Sequence, residues 1–349
     1  MSQDPQIHRH AQPVAADAPD WQALDRLREI FLSGGGRHRD YWETDADLAS
    51  YDATFAQRIG WKWDHVLAEL AQRGWRPLRA GLLDWGCGSG IAARAYLDHF
   101  GSEAVTQVYF WDRSPRARRF AVDRARRKYP GLAVFEGLPS RLELVLLSHV
   151  LTELTAEQVE PLLALLGRAE AVLWVEPGTH DASRRLIEAR ERLRGTFQVV
   201  APCTHGAPCG LLAPGNEAHW CHHFAASPPA VFTDPFWGRF ARLASVELRS
   251  LPLSYLVLDK RPQPALPLGA VRVIGRPRVF KAQATALACD AEVVGEFELR
   301  KRDQPAVFRR WSKGNCPGWQ VWERVAGRIL NTVELPSPAA TPTSDAAQP

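Results

Sequence analysis

The segment Leu82-Leu83-Asp84-Trp85-Gly86-Cys87-Gly88-Ser89-Gly90 joins an apolar lead-in to an acid and three glycines at alternate positions. That pattern predicts a strand over 81–85, a tight turn, and a helix over 91–100. Glycine lets backbone pass close to a ligand without a Cβ in the way. The helix that follows offers free N–H groups and a partial positive charge at its start. The spacing is D-x-G-x-G-x-G, which differs from the G-x-G-x-x-G of dinucleotide folds. An ordinary strand–helix turn is the simpler alternative.

Upstream, apolar residues recur at helical spacing from Trp21 to Leu32, and Gly34-Gly35-Gly36 stops that helix. A second helical region is expected over 45–73, carrying Leu48, Tyr51, Phe55, Ile59, Trp63, Leu67 and Leu70 and ending at Gly74. Together these predict a helical N-terminal cap over 20–79, after a disordered tail over 1–19. Downstream, strands at 105–111, 132–135, 142–148 and 171–175 alternate with helices at 114–129, 155–166 and 181–193. This is the α/β signature of a parallel sheet with helices on both faces. Strands at 243–250 and 253–259 are expected as a β pair that completes the sheet, giving a domain over 80–261. An insertion over 196–240 interrupts it. After a Pro-rich linker, a small β-rich, OB-like domain is expected over 268–330, with strands at 271–274, 282–288, 293–300 and 306–311. A second disordered tail follows over 336–349.

The chain has 349 residues, a net charge of +4 and six cysteines. No run approaches the ~20 apolar residues that span a bilayer, so no membrane association is expected. Asp4, Asp17 and Asp20 against Arg9 fit neither a signal peptide nor an arginine-rich transit peptide, which predicts a cytoplasmic protein. The small net charge does not by itself announce nucleic acid, but its distribution is uneven. Arg113, Arg116, Arg118, Arg119, Arg124, Arg126, Arg127 and Lys128 crowd one helix, and a second basic concentration runs from Arg272 to Lys313. Each is either a phosphate-binding face or a solvated surface.

The glycine segment resembles motif I of class I (Rossmann-like) S-adenosylmethionine (SAM) methyltransferases. The resemblance implies a cofactor loop at Asp84, Gly86, Cys87, Gly88 and Gly90, although Cys87 also suits simple packing. In a doubly wound sheet, ligands bind beyond the carboxyl ends of the strands. Asp112 ends the second strand, where a carboxylate can accept both ribose hydroxyls. It can equally cap the helix that Ser114-Pro115 opens. Ser148 and His149 end the fourth strand, where they would line the methionine and the methyl acceptor, or His149 is a turn residue. No Asn-Pro-Pro-Tyr tetrad follows that strand, and no cysteine follows strand four or five as a nucleophile. No catalytic residue is therefore assigned.

Three cysteines fall close together: Cys203, Cys209 after five residues, and Cys221 after eleven more, in Trp220-Cys221-His222-His223-Phe224. Five intervening residues are wider than a usual zinc knuckle. Thiolates ligate both zinc and iron–sulfur clusters, so residue type leaves both open. A fourth ligand is needed, from Cys289, Cys316, His205, His219, His222 or His223. Unrelated buried cysteines are the remaining alternative.

The cysteine segment stands together with Leu173-Trp174-Val175-Glu176-Pro177-Gly178-Thr179 and Ser254-Tyr255-Leu256-Val257-Leu258-Asp259-Lys260. Tyr51-Asp52-Ala53 and Arg58-Ile59-Gly60-Trp61-Lys62-Trp63 precede motif I. In these the chain resembles the methyltransferase-like family of the small ribosomal subunit, mitochondrial assembly factors and their bacterial relatives. The resemblance implies SAM binding, association with small-subunit ribosomal RNA in a pre-ribosomal particle, and a [4Fe–4S] cluster held by Cys203, Cys209, Cys221 and Cys289. Cys316 competes for the fourth place. Two other functions stay open: a non-catalytic RNA-binding scaffold, and a zinc-stapled methyltransferase for another substrate. On the leading reading, Arg272, Arg276 and Lys281 would contact RNA phosphates.

Overall fold

The computed structural model describes residues 19–34 and 40–335. The expected tails, apart from residue 19, and Gly35 and Gly36 lie outside the described residues. Asp20 caps helix α1 (Trp21–Ser33) by accepting from the amides of Gln22 and Ala23. The helical region expected over 45–73 is two helices, α2 (Asp45–Ala53) and α3 (Phe55–Arg73). They part at Thr54, whose hydroxyl donates to the Ser50 carbonyl at 2.7 Å.

Strand β1 (Ala80–Trp85) turns through the glycine segment into α4 (Ile91–Phe100). Then follow β2 (Val105–Trp111), α5 (Pro115–Lys128), β3 (Val134–Glu136), β4 (Leu144–Ser148), α6 (Ala156–Leu166), β5 (Ala171–Pro177) and α7 (His180–Leu193). Next come β6 (Gln198–Ala201), β7 (His223–Ala225), α8 (Ala230–Thr233), α9 (Pro235–Leu243) and β8 (Leu251–Asp259). The mixed sheet runs β3-β2-β1-β4-β5-β8-β6, with β7 also paired to β8. β1 to β5 pair with one another in parallel, and β8 is antiparallel to β5. Leu144 to Leu147 and Ala171 to Val175 are fully buried, as strands covered on both faces must be.

The antiparallel partner of β8 is not the expected 243–250. Asp234 caps α9 and Pro235 takes its first position, so the helix runs to Leu243. Leu248 then packs into the core from irregular backbone. The edge is shared instead by two short strands. β6 pairs with Val257 to Asp259 and β7 with Leu251 to Leu253, and the cysteine loop leaves and returns between them. The insertion thus carries strands and helices of its own.

The C-terminal residues form a closed five-stranded barrel of β9 (Ala270–Val279), β10 (Gln283–Cys289), β11 (Val294–Arg300), β12 (Trp319–Val325) and β13 (Arg328–Glu334), in the order β10-β11-β13-β12-β9. The strand expected at 306–311 is instead helix α10 (Pro305–Ser312), which turns Phe308 and Trp311 into the barrel core. The barrel is tied to the rest through Arg272, which is 1% exposed and makes two 2.9 Å bonds to the Glu69 carboxylate on α3. Arg272 is therefore a buried ion-pair partner, and the expectation that it contacts RNA is corrected.

Candidate functional site

The loop after β1 places its glycines for different reasons. Gly86 has φ +69, and a Cβ there would lie 2.7 Å from Val150 Cγ1. Gly88 has φ +50, and a Cβ there would meet nothing within 4 Å, so its Cα faces open space. Asp84 is fully buried; its Oδ2 accepts from the Ala93 amide of α4 at 3.1 Å, while its Oδ1 has no partner. Ser89 Oγ is likewise buried and unpartnered. Burial pushes the Asp84 carboxyl up to about 7. An open glycine cradle with orphaned polar atoms fits a polar, cationic ligand such as SAM. Cys87 packs in the apolar core.

Asp112 accepts from the Gly88 amide at 3.0 Å and from the Ser114 amide at 2.9 Å. It braces the loop and fixes the turn before α5; the helix itself is capped by Ser114, which corrects the expectation that Asp112 caps it. Each carboxylate oxygen keeps a further lone pair. Burial also raises its pKa.

Ser148 and His149 end β4 beside the helical cap. Ser148 Oγ accepts from Trp63 Nε1 at 2.9 Å, and Lys62 Nζ lies 3.5 Å from His149 Nε2. His149 adopts φ 56, a left-handed conformation uncommon outside glycine. Burial, with Arg58 nearby, lowers Lys62 to about 7; burial, with Lys62 nearby, holds His149 well below its ordinary value. Tyr41 donates to Glu153 at 3.0 Å, and burial raises Glu153 to about 7. Glu176 accepts from the amides of Val150 and Leu151, shaping the turn after β4, and burial raises it also to about 7. Lys62, Tyr41, Glu153 and Glu176 had no chemical role in the sequence reading. The signal for Lys62 was a lysine inside an aromatic, apolar helix face.

Asp52 on α2 pairs with Arg94 on α4 and, at 2.9 Å, with Arg124 on α5. Arg116 pairs with Asp45 at 2.8 Å and Lys128 with Asp98. Much of the basic helix is thus engaged by carboxylates, three of them on the cap and α4, which corrects its reading as an open phosphate face.

The cysteines arrive from separate places. Cys203 follows β6, Cys209 and Cys221 lie in the loop, and Cys289 ends β10 of the barrel. All four line one pocket, with His205, Arg190 and Tyr255. Burial is the main cause that lifts Cys209 to about 11 and raises Cys221 and Cys289 further, and neighbouring thiols add to it. Thiols so placed are held neutral unless a cation joins them, and the donor set suits a thiolate-bound metal centre. Among the described residues, no three of His, Cys, Asp and Glu approach closely enough to share one metal ion. Cys316 lies apart, with Gln320 Nε2 at 3.4 Å from its sulfur. His222 stacks on Trp220.

No helix among the described residues is long and apolar enough to cross a membrane. Among solved structures, the chain is similar to a Pyrococcus horikoshii protein assigned as an RNA methyltransferase, at 12% identity over 68% of this chain and 99% of that one, TM-score 0.37. It is also similar to magnesium protoporphyrin IX methyltransferase from Synechocystis with bound SAM, at 14% identity over 71% and 100%, TM-score 0.36. A comparison with curated proteins gives no match. A family model described as mitochondrial small ribosomal subunit Rsm22 matches residues 52–310. That description does not support a cytoplasmic location. The match spans about three-quarters of the 349 residues, from the Asp52 brace through the barrel helix, and the chain belongs to this family.

Proposed function

We propose that the protein is a SAM-binding, iron–sulfur, methyltransferase-like protein that works on small-subunit ribosomal RNA during ribosome assembly. The observation that carries this is the meeting of Cys203, Cys209, Cys221 and Cys289 in one pocket of a chain that also carries a motif I loop. Cys209, Cys221 and Cys289 pack in a small apolar cluster with Ile187, Leu211 and Ile274, and four thiols brought together from loop and barrel are also the donor set of a metal centre. A single zinc, with Zn–S bonds of about 2.3 Å, would draw four sulfurs within about 4 Å of one another. A cubane cluster would hold the same sulfurs farther apart, and metal and sulfide analysis separates the two.

When bound, SAM supplies an electrophilic methyl group and the cluster supplies a rigid tie between insertion and barrel. The residues do the rest. Gly88 opens the cradle, Asp84 and Asp112 supply carboxylates to the cofactor's cationic and ribose ends, and Ser148 is held by Trp63 at the acceptor side. Lys62 and His149 form the buried pair able to take a proton from an incoming nucleophile. The barrel has the closure, strand number and inserted helix of an OB-like unit, which suits single-stranded nucleic acid.

A second reading has one observation behind it: Ser148-His149-Val150-Leu151 replaces the tetrad of amino-nitrogen methyltransferases. This favours an assembly scaffold that binds SAM without transferring its methyl group. Anaerobic purification followed by iron and acid-labile sulfide analysis tests the cluster, and calorimetry with SAM tests the cofactor. Zinc without sulfide would overturn the iron–sulfur reading, and no heat with SAM would overturn the cofactor reading.

A further inference from the structure

His223 sits on β7 beside the cysteine pocket and is 4% exposed. Its Nδ1 lies 2.9 Å from Nη2 of Arg272, and its Nε2 lies 3.5 Å from the Cys221 sulfur. Arginine has donors and no acceptor. Nδ1 must therefore accept, the ring's proton is on Nε2, and that N–H points at the sulfur. We infer that His223 is a positioning residue for the metal centre, an N–H···S donor to Cys221 whose tautomer is fixed by Arg272 of the barrel. This rests on the iron–sulfur reading above.

The tautomer is fixed from a distance. Arg272 is oriented by its paired bonds to Glu69 on α3, and the Tyr255 hydroxyl of β8 also donates to Glu69. The guanidinium lies 5.0 Å from the centre of the Trp319 ring. Cap, sheet and barrel thus converge on one imidazole. If the barrel were displaced, Nδ1 would lose its donor and the ring could take the other tautomer, which offers sulfur a lone pair instead of a proton. A donor to a ligating sulfur favours the more electron-rich, reduced centre, so it raises the reduction potential and slows loss of metal.

The test uses the full chain, purified anaerobically, with two polar substitutions. In His223→Gln the amide nitrogen reaches the place of Nε2 and keeps the donor to sulfur. In His223→Asn the amide reaches only the place of Nδ1, which keeps a partner for Arg272 and loses the donor. Each is titrated with dithionite against mediators, and iron release to a chelator is timed. The expected result is that Gln follows the parent protein. Asn should fall by about tenfold in the one-electron equilibrium, about 59 mV, and should lose iron about ten times faster. Equal potentials and equal release rates for Asn and Gln, at parent levels of iron and sulfide, overturn the inference alone. Absence of acid-labile sulfide from the parent protein overturns the cluster reading and this inference with it.

Discussion

Gly86 and Gly88 separate packing from binding within one loop. Both have positive φ, so alanine at either place costs about 1–2 kcal/mol of backbone strain. At Gly86 the new methyl would also press to 2.7 Å from Val150 Cγ1, inside the core. Overpacking of that kind adds about 1–3 kcal/mol, so Gly86→Ala should cost roughly 2–5 kcal/mol. At Gly88 no atom lies within 4 Å of the added methyl, and strain is the whole stability cost. The methyl instead occupies the open side, where the cofactor's backbone contacts belong. Gly88→Ala should therefore lose only that ~1–2 kcal/mol of strain in urea unfolding, yet lose at least about tenfold in SAM affinity by calorimetry, about 1.4 kcal/mol. If Gly88→Ala binds SAM like the parent protein, the cradle is in the wrong place. If it is as unstable as Gly86→Ala, the space beside it is not open.

Four more outcomes are expected. Asp84, Glu153 and Glu176 are each raised to about 7 by burial, and Lys62 is lowered to about 7. The three acids bind more protons folded than unfolded, so the ligand-free chain loses stability as pH rises from their unfolded values through about 7. The same rise adds negative charge and removes the lysine's positive charge, so calorimetry should show the preference for SAM over uncharged-sulfur S-adenosylhomocysteine growing with pH; a flat ratio would refute it. Cys289→Ser should abolish the cluster while Cys316→Ser keeps full iron and sulfide, and the reverse pattern would move the fourth ligand to Cys316. Lys281 is exposed on the barrel, so Lys281→Ala should lower the salt slope of RNA binding by about one, and an unchanged slope would remove that face from the RNA contact.

Strands β1, β4 and β5 were legible because parallel strands buried on both faces leave unbroken apolar runs, such as Leu144 to Leu147, while the half-exposed β2 and β3 were legible from the alternation with helices. Short alternations were not. Leu243 to Ser250 and Ala306 to Trp311 alternate like strands, but the first lies after a helix capped by Asp234-Pro235 and the second begins one residue after Pro305. β6 was missed because Gln198–Ala201 is too short to show a period. Charge was the least legible property. Arg272 and the paired arginines of α5 look the same in a sequence as arginines in water, since only tertiary contacts reveal Glu69, Asp45 and Asp52. The meeting of Cys289 with Cys221 was one of six candidates in the residues and was singled out only by the family resemblance, because nothing local links residues 68 apart.

The Trp220–Phe224 signature is a strand period in miniature. Cys221 and His223 turn inward to the pocket and to Arg272, while Trp220, His222 and Phe224 stack along the other side, closed by the Arg276 guanidinium 4.0 Å from the Phe224 ring centre. The hydroxyls of Ser183 and Ser254 both donate to the Cys221 carbonyl, fixing the backbone that bears the thiol. Gly275 is required opposite, since a Cβ there would lie 2.7 Å from His222 Nε2. The loop is therefore held by stacking, by two serines and by the barrel before any metal is considered. A site ordered in advance loses less conformational entropy when it is filled, so on the proposed reading the free energy of binding would go into holding the metal and not into folding the insertion. A metal centre bound there, as proposed, would join finished parts, unlike the small zinc modules that are unfolded without their ion.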